Sequence, residues 1–140
     1  MEVPQVVIDT NVVVAGLRSK RGSAHRLLQA VGSGVFGIHL SVPLVLEYEA
    51  VLYREDSGVP RERADAVIDF HCSVAVLHAI FFLWRPILPD PKDDMVLELA
   101  VSAKCDSIIT YNVRDFAGVE RFGMQVIEPA PFLQRIGVLP

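Results

Sequence analysis

The sequence is short of cysteine, of positive charge and of long apolar runs. Its two cysteines, Cys72 and Cys105, stand far apart, with no C-x-x-C spacing and no histidine in register. They read as reduced, buried thiols of an intracellular protein. Thirteen Lys and Arg face seventeen Asp and Glu, for a net charge of −4. A broad nucleic-acid-binding surface is normally basic, so any nucleic-acid contact here has to be local or mediated by a metal. The longest apolar stretch, Val74 to Trp84, contains His78. It falls well short of the roughly 20 residues of a membrane-spanning helix. The first residues lack the basic segment of a signal peptide. These absences point to a soluble, cytoplasmic protein. No G-x-x-x-x-G-K-[ST] loop is present, which removes the P-loop reading. The G-x-S-x-G nucleophile elbow is missing too.

What is present suffices for a packed core. Apolar residues make up 51% of the 140 residues and charged residues 21%, which argues against disorder. One domain over residues 1–140 is expected. Short β-branched runs at Val3–Ile8, Val35–Leu40, Ile108–Thr110 and Val126–Ile127 read as buried strands. Helical patterns lie between them. Ser23 is placed to cap a helix over Ala24–Val31, and Ser41 to cap one over Pro43–Tyr53. Pro60 opens another, Met95–Ala103 carries a clean apolar stripe, and Pro131–Ile136 forms a short last helix. Val74–Trp84 is apolar throughout, so periodicity does not separate strand from helix there. Strands alternating with helices predict an α/β fold with a parallel sheet. In such sheets, ligands bind at the C-terminal strand ends.

Acidic residues sit at the places that converge on that edge. Asp9 follows Val6-Val7-Ile8 abruptly, a costly setting for a carboxylate unless something compensates it. Asn112 and Asp115 follow the strand at Ile108–Thr110, and Asp93 and Asp94 open a helix. Glu47 interrupts an apolar helix face, and Glu49, two residues on, must point elsewhere. Four acids in one cleft repel one another, and a hard dication such as Mg2+ or Mn2+ relieves this, because it prefers oxygen ligands. Two such ions suit in-line phosphodiester hydrolysis, one activating a water and one steadying the leaving oxygen. Each acid also has an ordinary role. Asp9 can cap the next turn, Asp93 and Asp94 suit a helix N-terminus, Glu47 or Glu49 can be a surface residue, and Asp115 can be a turn residue. The ordered set is far more specific than any member. The four histidines, His25, His39, His71 and His78, show no metal-ligand spacing and read as packing or surface residues.

These pieces together resemble a PIN domain. The matching segments are Val7-Ile8-Asp9-Thr10-Asn11-Val12, Leu46-Glu47-Tyr48-Glu49-Ala50-Val51-Leu52, Asp90-Pro91-Lys92-Asp93-Asp94 with Leu97-Glu98-Leu99-Ala100, and Ile109-Thr110-Tyr111-Asn112-Val113-Arg114-Asp115-Phe116. The branch they are most similar to is that of VapC-type toxins of toxin–antitoxin systems. The resemblance implies a three-layer α/β/α fold around a central parallel sheet. It implies a Mg2+- or Mn2+-dependent endoribonuclease that cuts RNA through a metal-activated water. It also implies a cognate antitoxin and a homodimer. By motif, Asp9 is the first metal ligand and Glu47 the second acid. The third is Asp93 or Asp94: the family position favours Asp93, and the spacing to Asn112 fits Asp94. Thr110 and Asn11 are implied supporting residues. Asn112 departs from the family, where Asp is frequent, and Asp115 is the candidate to supply the missing charge.

Two other readings stand beside this one. A haloacid-dehalogenase-like phosphatase needs an acid two residues after its nucleophilic Asp, and that position is Asn11. A PIN-like scaffold that binds RNA or a partner with little cleavage fits the Asn112 departure. The basic run Arg18, Lys20 and Arg21 is placed to guide RNA toward the acids, or to be a solvated loop.

Overall fold

The computed structural model describes residues 2–79 and 87–140. Strand β1 (Gln5–Ile8) forms from the β-branched run, and Val6, Val7 and Ile8 are at most 2% exposed. Burial of successive strand residues means that both faces of the sheet are covered, as is usual for parallel strands. The apolar run then continues into helix α1 (Thr10–Arg18). Its valines are not strong helix formers. Burial of Val12, Val13 and Leu17 holds them in the helix. Gly16 lets α1 lie close on α2 (Ser23–Ala30), because a Cβ there would stand 2.5 Å from Leu28 Cδ1 and 2.9 Å from Ala24 O.

Strand β2 (Gly37–Ser41) leads directly into α3 (Val42–Leu52), capped as expected by Ser41, whose Oγ accepts from Leu44 N at 3.3 Å. Then come α4 (Arg61–Val74), β3 (Val76–His78), α5 (Pro91–Ser102), β4 (Ser107–Ile109), β5 (Gln125–Ile127) and α6 (Pro129–Arg135). Single 3-10 turns lie at Glu55–Ser57, Val113–Phe116 and Val119–Phe122. All sheet pairings among the described residues are parallel, in the order β3-β2-β1-β4-β5. Connections from β1 to β2 to β3 run one way along the sheet, and the return to β4 runs the other. Right-handed crossovers therefore put helices on both faces, giving three α/β/α layers. The reversal falls between β1 and β4, where open α/β sheets form their ligand crevice. No described helix is long and apolar enough to cross a membrane.

Several expectations are corrected in detail. Ser23 does not cap α2; it is the first helical residue, and Gly22, at φ 95°, takes the cap position without a side-chain bond. Helix α5 begins at Pro91, earlier than the apolar stripe indicated, so Asp93 and Asp94 lie in its first turn. The stretch Val74–Trp84 divides: Val74 ends α4, Val76–His78 is an edge strand, and residues 80–86 lie outside the described residues. His39 and His78 do pair, Nδ1 to Nε2 at 2.7 Å across adjacent strands, with stacked rings. Residues 32–37, Gly-Ser-Gly-Val-Phe-Gly, have G-x-G-x-x-G spacing. They join a helix to a strand, the reverse of the dinucleotide-binding context.

Candidate functional site

The site begins where β1 stops. Ile8 is the last strand residue, and its carbonyl accepts the hydroxyl of buried Tyr48 on α3. Asp9 N donates to Ile109 O at 2.9 Å, which locks the end of β1 to the end of β4. Asp9 has extended backbone and is the N-cap of α1: its Oδ1 accepts from Thr10 N at 2.9 Å. The capping role and the site role thus fall on one carboxylate. Its Oδ2 accepts from Thr110 Oγ1 at 2.9 Å and from Asn11 Nδ2 at 3.1 Å.

Thr110 uses its full hydrogen-bonding capacity, and Asn11 both of its amide hydrogens, to hold this arrangement. The Thr110 hydroxyl donates to Asp9 and accepts from Asn11 Nδ2 at 3.1 Å and Asn112 N at 3.0 Å, which exhausts one donor and two lone pairs. Asn11 Oδ1 accepts from Tyr111 N at 3.0 Å, so the amide bridges the β1–α1 turn to the chain after β4. Burial raises the Asp9 carboxyl pKa; the bonds from Thr110, Thr10 and Asn11 pull it back, and the charge of Glu47 pushes it up again.

Asp9 opens into a cleft of about 380 Å3, lined also by Thr10, Asn11, Glu47, Asp90, Lys92, Asp93 and Asn112. Glu47 comes from α3, while Glu49 turns away to accept from Tyr53 Oη at 3.1 Å. Asp90 is the N-cap of α5, accepting from Lys92 N at 2.9 Å. Asp93 faces the cleft, and its carboxyl is pushed up to about 7, first by burial and then by the charges of Asp9, Asp90, Asp115 and Asp94. Asp94 faces elsewhere. Its Oδ1 accepts from Ile87 N at 3.1 Å and Leu88 N at 2.9 Å, tying the chain before α5 to the first turn of that helix.

Asn112 reaches the cleft, whereas Asp115 lies exposed in the 3-10 turn Val113–Phe116, on a neighbouring groove of about 340 Å3 with Glu128. Arg18 lines the cleft from the end of α1, with its guanidinium on the carbonyls of Ser57 and Asp56. Lys20 and Arg21 are exposed in the following loop. Three polar cleft residues, Thr10, Asp90 and Lys92, escaped the sequence reading of the site. Thr10 is 8% exposed, and its Oγ1 has no hydrogen-bond partner among the described residues. Lys92 Nζ stands 3.7 Å from Glu47 Oε1. The Lys92 signal was a cation at a helix N-terminus, where the dipole disfavours it. For Thr10 there was none, since a hydroxyl after a capping Asp is ordinary.

The donor set at the cleft is oxygen-rich: the carboxylates of Asp9, Glu47, Asp90 and Asp93, the Thr10 hydroxyl and the Asn112 amide. Such a set suits a hard dication. Among the described residues, no three His, Cys, Asp or Glu side chains stand within common reach of one ion.

No curated protein sequence matches the chain significantly. The VapBC2 complex from Rickettsia felis, solved bound to a DNA fragment from its promoter, contains a chain of similar fold. The TM-score is 0.57 at 13% identity, over 89% of this chain and 97% of that one. A PIN domain family model matches residues 5–114. With that match spanning most of the sequence, the chain belongs to the PIN domain family.

Proposed function

We propose that the protein is a Mg2+- or Mn2+-dependent endoribonuclease, the VapC-like toxin of a toxin–antitoxin pair. The observation that carries this is the convergence of Asp9, Glu47 and Asp93 in one cleft beside the unpartnered Thr10 hydroxyl, at the reversal of strand order. Membership of a family whose members are generally nucleases supports it. So does the fold shared with a chain of the VapBC2 complex.

The residues fit a dication held largely through water. Mg2+ keeps several waters and takes one or two protein carboxylates, which agrees with the absence of a closed three-acid shell among the described residues. Asp9 Oδ1 accepts one hydrogen bond and keeps one lone pair, whereas Oδ2 has both occupied. Asp9 Oδ1 is therefore the atom that Asp9 would offer to an ion, with Asp93 and Glu47 lining the same cleft. When bound, the metal supplies Lewis-acid activation of water and neutralises charge on the phosphate. A bound ion would favour the charged form of the Asp93 carboxyl, which burial and the neighbouring acids disfavour. Thr10 Oγ1, on the cleft and without a partner among the described residues, would be available to hold a water beside the ion. Asn112 contributes a neutral oxygen, and Asp115 acts on the site through its charge. Asp94 braces the start of α5. Lys20 and Arg21, exposed in the loop after α1, are cations available to an RNA backbone.

Purified protein is expected to cleave single-stranded RNA with Mg2+ or Mn2+ and not in EDTA. Asp9→Asn is expected to abolish cleavage with the fold intact, and persistent cleavage by that variant would sink the metal-centre reading. A second reading, a PIN-like scaffold with little activity, is favoured by Asn112 in the cleft; binding of RNA without cleavage by the wild type would select it. A cytoplasmic location, a homodimer and a cognate antitoxin belong to the toxin reading. An adjacent antitoxin-like reading frame is its simplest test.

A further inference from the structure

Lys92 is oddly placed for a helix residue. It lies in the first turn of α5, at the positive end of the helix dipole, where acids are favoured and a cation is not. Among the described residues there are two ion pairs. Arg61–Asp65 is an i,i+4 pair within α4, and Lys92–Glu47 is the one that joins separate helices, α3 and α5, across the cleft. At 3.7 Å the Lys92 contact is loose. The lysine side chain is 60% exposed and that of Glu47 19%, so the ammonium can leave while the carboxylate stays. A compact charge on a flexible four-carbon stem is suited to changing partners.

We propose that Lys92 is a positioning residue with two alternative partners: Glu47 in the cation-free protein, and an RNA phosphate once a divalent cation takes Glu47. This rests on the metal-centre reading above. An ammonium and a divalent cation compete for the same carboxylate, because each repels the other at contact distance. Displaced Lys92 then stands on a cleft that Asp90 and Asp93 also line, and an incoming phosphodiester competes for it as those acids are neutralised by the cation. The arrangement accounts for how a cleft rich in carboxylates admits a polyanion: cation binding both neutralises the acids and frees a positive charge. Cation and RNA binding are thereby coupled through Lys92, and the coupling is reciprocal.

The test is Mn2+ titration of the RNA-free protein by calorimetry, with wild type, Lys92→Gln, Lys92→Arg, Glu47→Gln and the Glu47→Gln/Lys92→Gln double variant. Lys92→Gln should bind Mn2+ roughly two- to fivefold more tightly, the effect of releasing Glu47 from a loose, partly exposed ion pair. The same variant should show a raised KM for single-stranded RNA and a shallower salt dependence, as expected for one lost phosphate contact. Lys92→Arg should restore both properties. In the Glu47→Gln background, Lys92→Gln should change Mn2+ affinity little, because the competition is gone. Equal or weaker Mn2+ binding by Lys92→Gln overturns the proposal, as does a full effect in the Glu47→Gln background. Failure of the wild type to bind Mn2+ overturns the metal centre along with it.

Discussion

The Thr110 hydroxyl donates to Asp9 Oδ2 across 2.9 Å, joining residues 101 positions apart at the ends of neighbouring strands. It is the largest of the effects that hold the Asp9 carboxyl pKa down against burial. Thr110→Val keeps the shape and removes the hydroxyl, so Asn112 N and Asn11 Nδ2 lose an acceptor and Asp9 loses a donor. The expected cost is about 1–3 kcal/mol, with a further rise in the Asp9 pKa. Urea unfolding and carboxyl-carbon NMR titration read the two effects, and an unchanged unfolding midpoint would count against this role.

The adjacent acids Asp93 and Asp94 should respond in opposite ways. Asp94→Ala leaves Ile87 N and Leu88 N without their acceptor and should cost about 1–2 kcal/mol. Asp93 has its folded-state pKa raised from 3.8 to about 7. The folded protein therefore binds the proton more tightly, and stability from this residue is lost as pH rises through that interval. Asp93→Asn should stabilise the metal-free protein at pH 8, on the order of 1 kcal/mol after solvent screening. It should also reduce cleavage. Thermal melts of both variants at pH 8 test the contrast, which fails if the two shift together.

His71 sets an acid limit on stability. Burial lowers its pKa from 6.5 to about 4, and it is 3% exposed. A depressed histidine pKa means that the unfolded chain binds the proton first, so stability falls as pH drops from about 6.5 toward 4, by roughly 3 kcal/mol in all. His39 is lowered by burial and by His78, and acts in the same sense. Urea midpoints measured across this range should show the slope, and His71→Gln should flatten it.

Gly16 tests the packing of α1 on α2. Leu28 Cδ1 is a flexible tip, but Ala24 O is backbone, and the added methyl would meet it at 2.9 Å. Gly16→Ala should gain a little helix propensity and lose more to overpacking, for a net cost of about 1–2 kcal/mol. A rise in Tm would show that the two helices can separate freely.

Much of the strand layout was legible because burial leaves a simple record. Val6, Val7, Ile8, Ile108 and Ile109 are apolar runs just long enough to cross a covered sheet. Helix starts were read less well. Ser23 looked like a cap, but Gly22 holds the φ of 95° that shapes that turn. The start of α5 was hidden because Pro91-Lys92-Asp93-Asp94 has no apolar stripe, although Asp90 caps it from before the proline. The pairing of His39 with His78 had no sequence signal, since it depends on strand register.

The sequence by itself determined the acids, their order along the chain and the strand ends that carry them, because a carboxylate after a β-branched run is conspicuous. Tertiary structure alone decided which of them meet. Helix α5 turns Asp93 into the cleft and Asp94 onto the backbone of Ile87 and Leu88. The chain after β4 brings Asn112 to Asp9 and leaves Asp115 outside. Lys92 meets Glu47 only because α3 and α5 face each other across the cleft. Adjacent residues on a helix diverge by about 100°. The rotation of α5 against the sheet, which no local pattern encodes, thus separates a cleft acid from a brace.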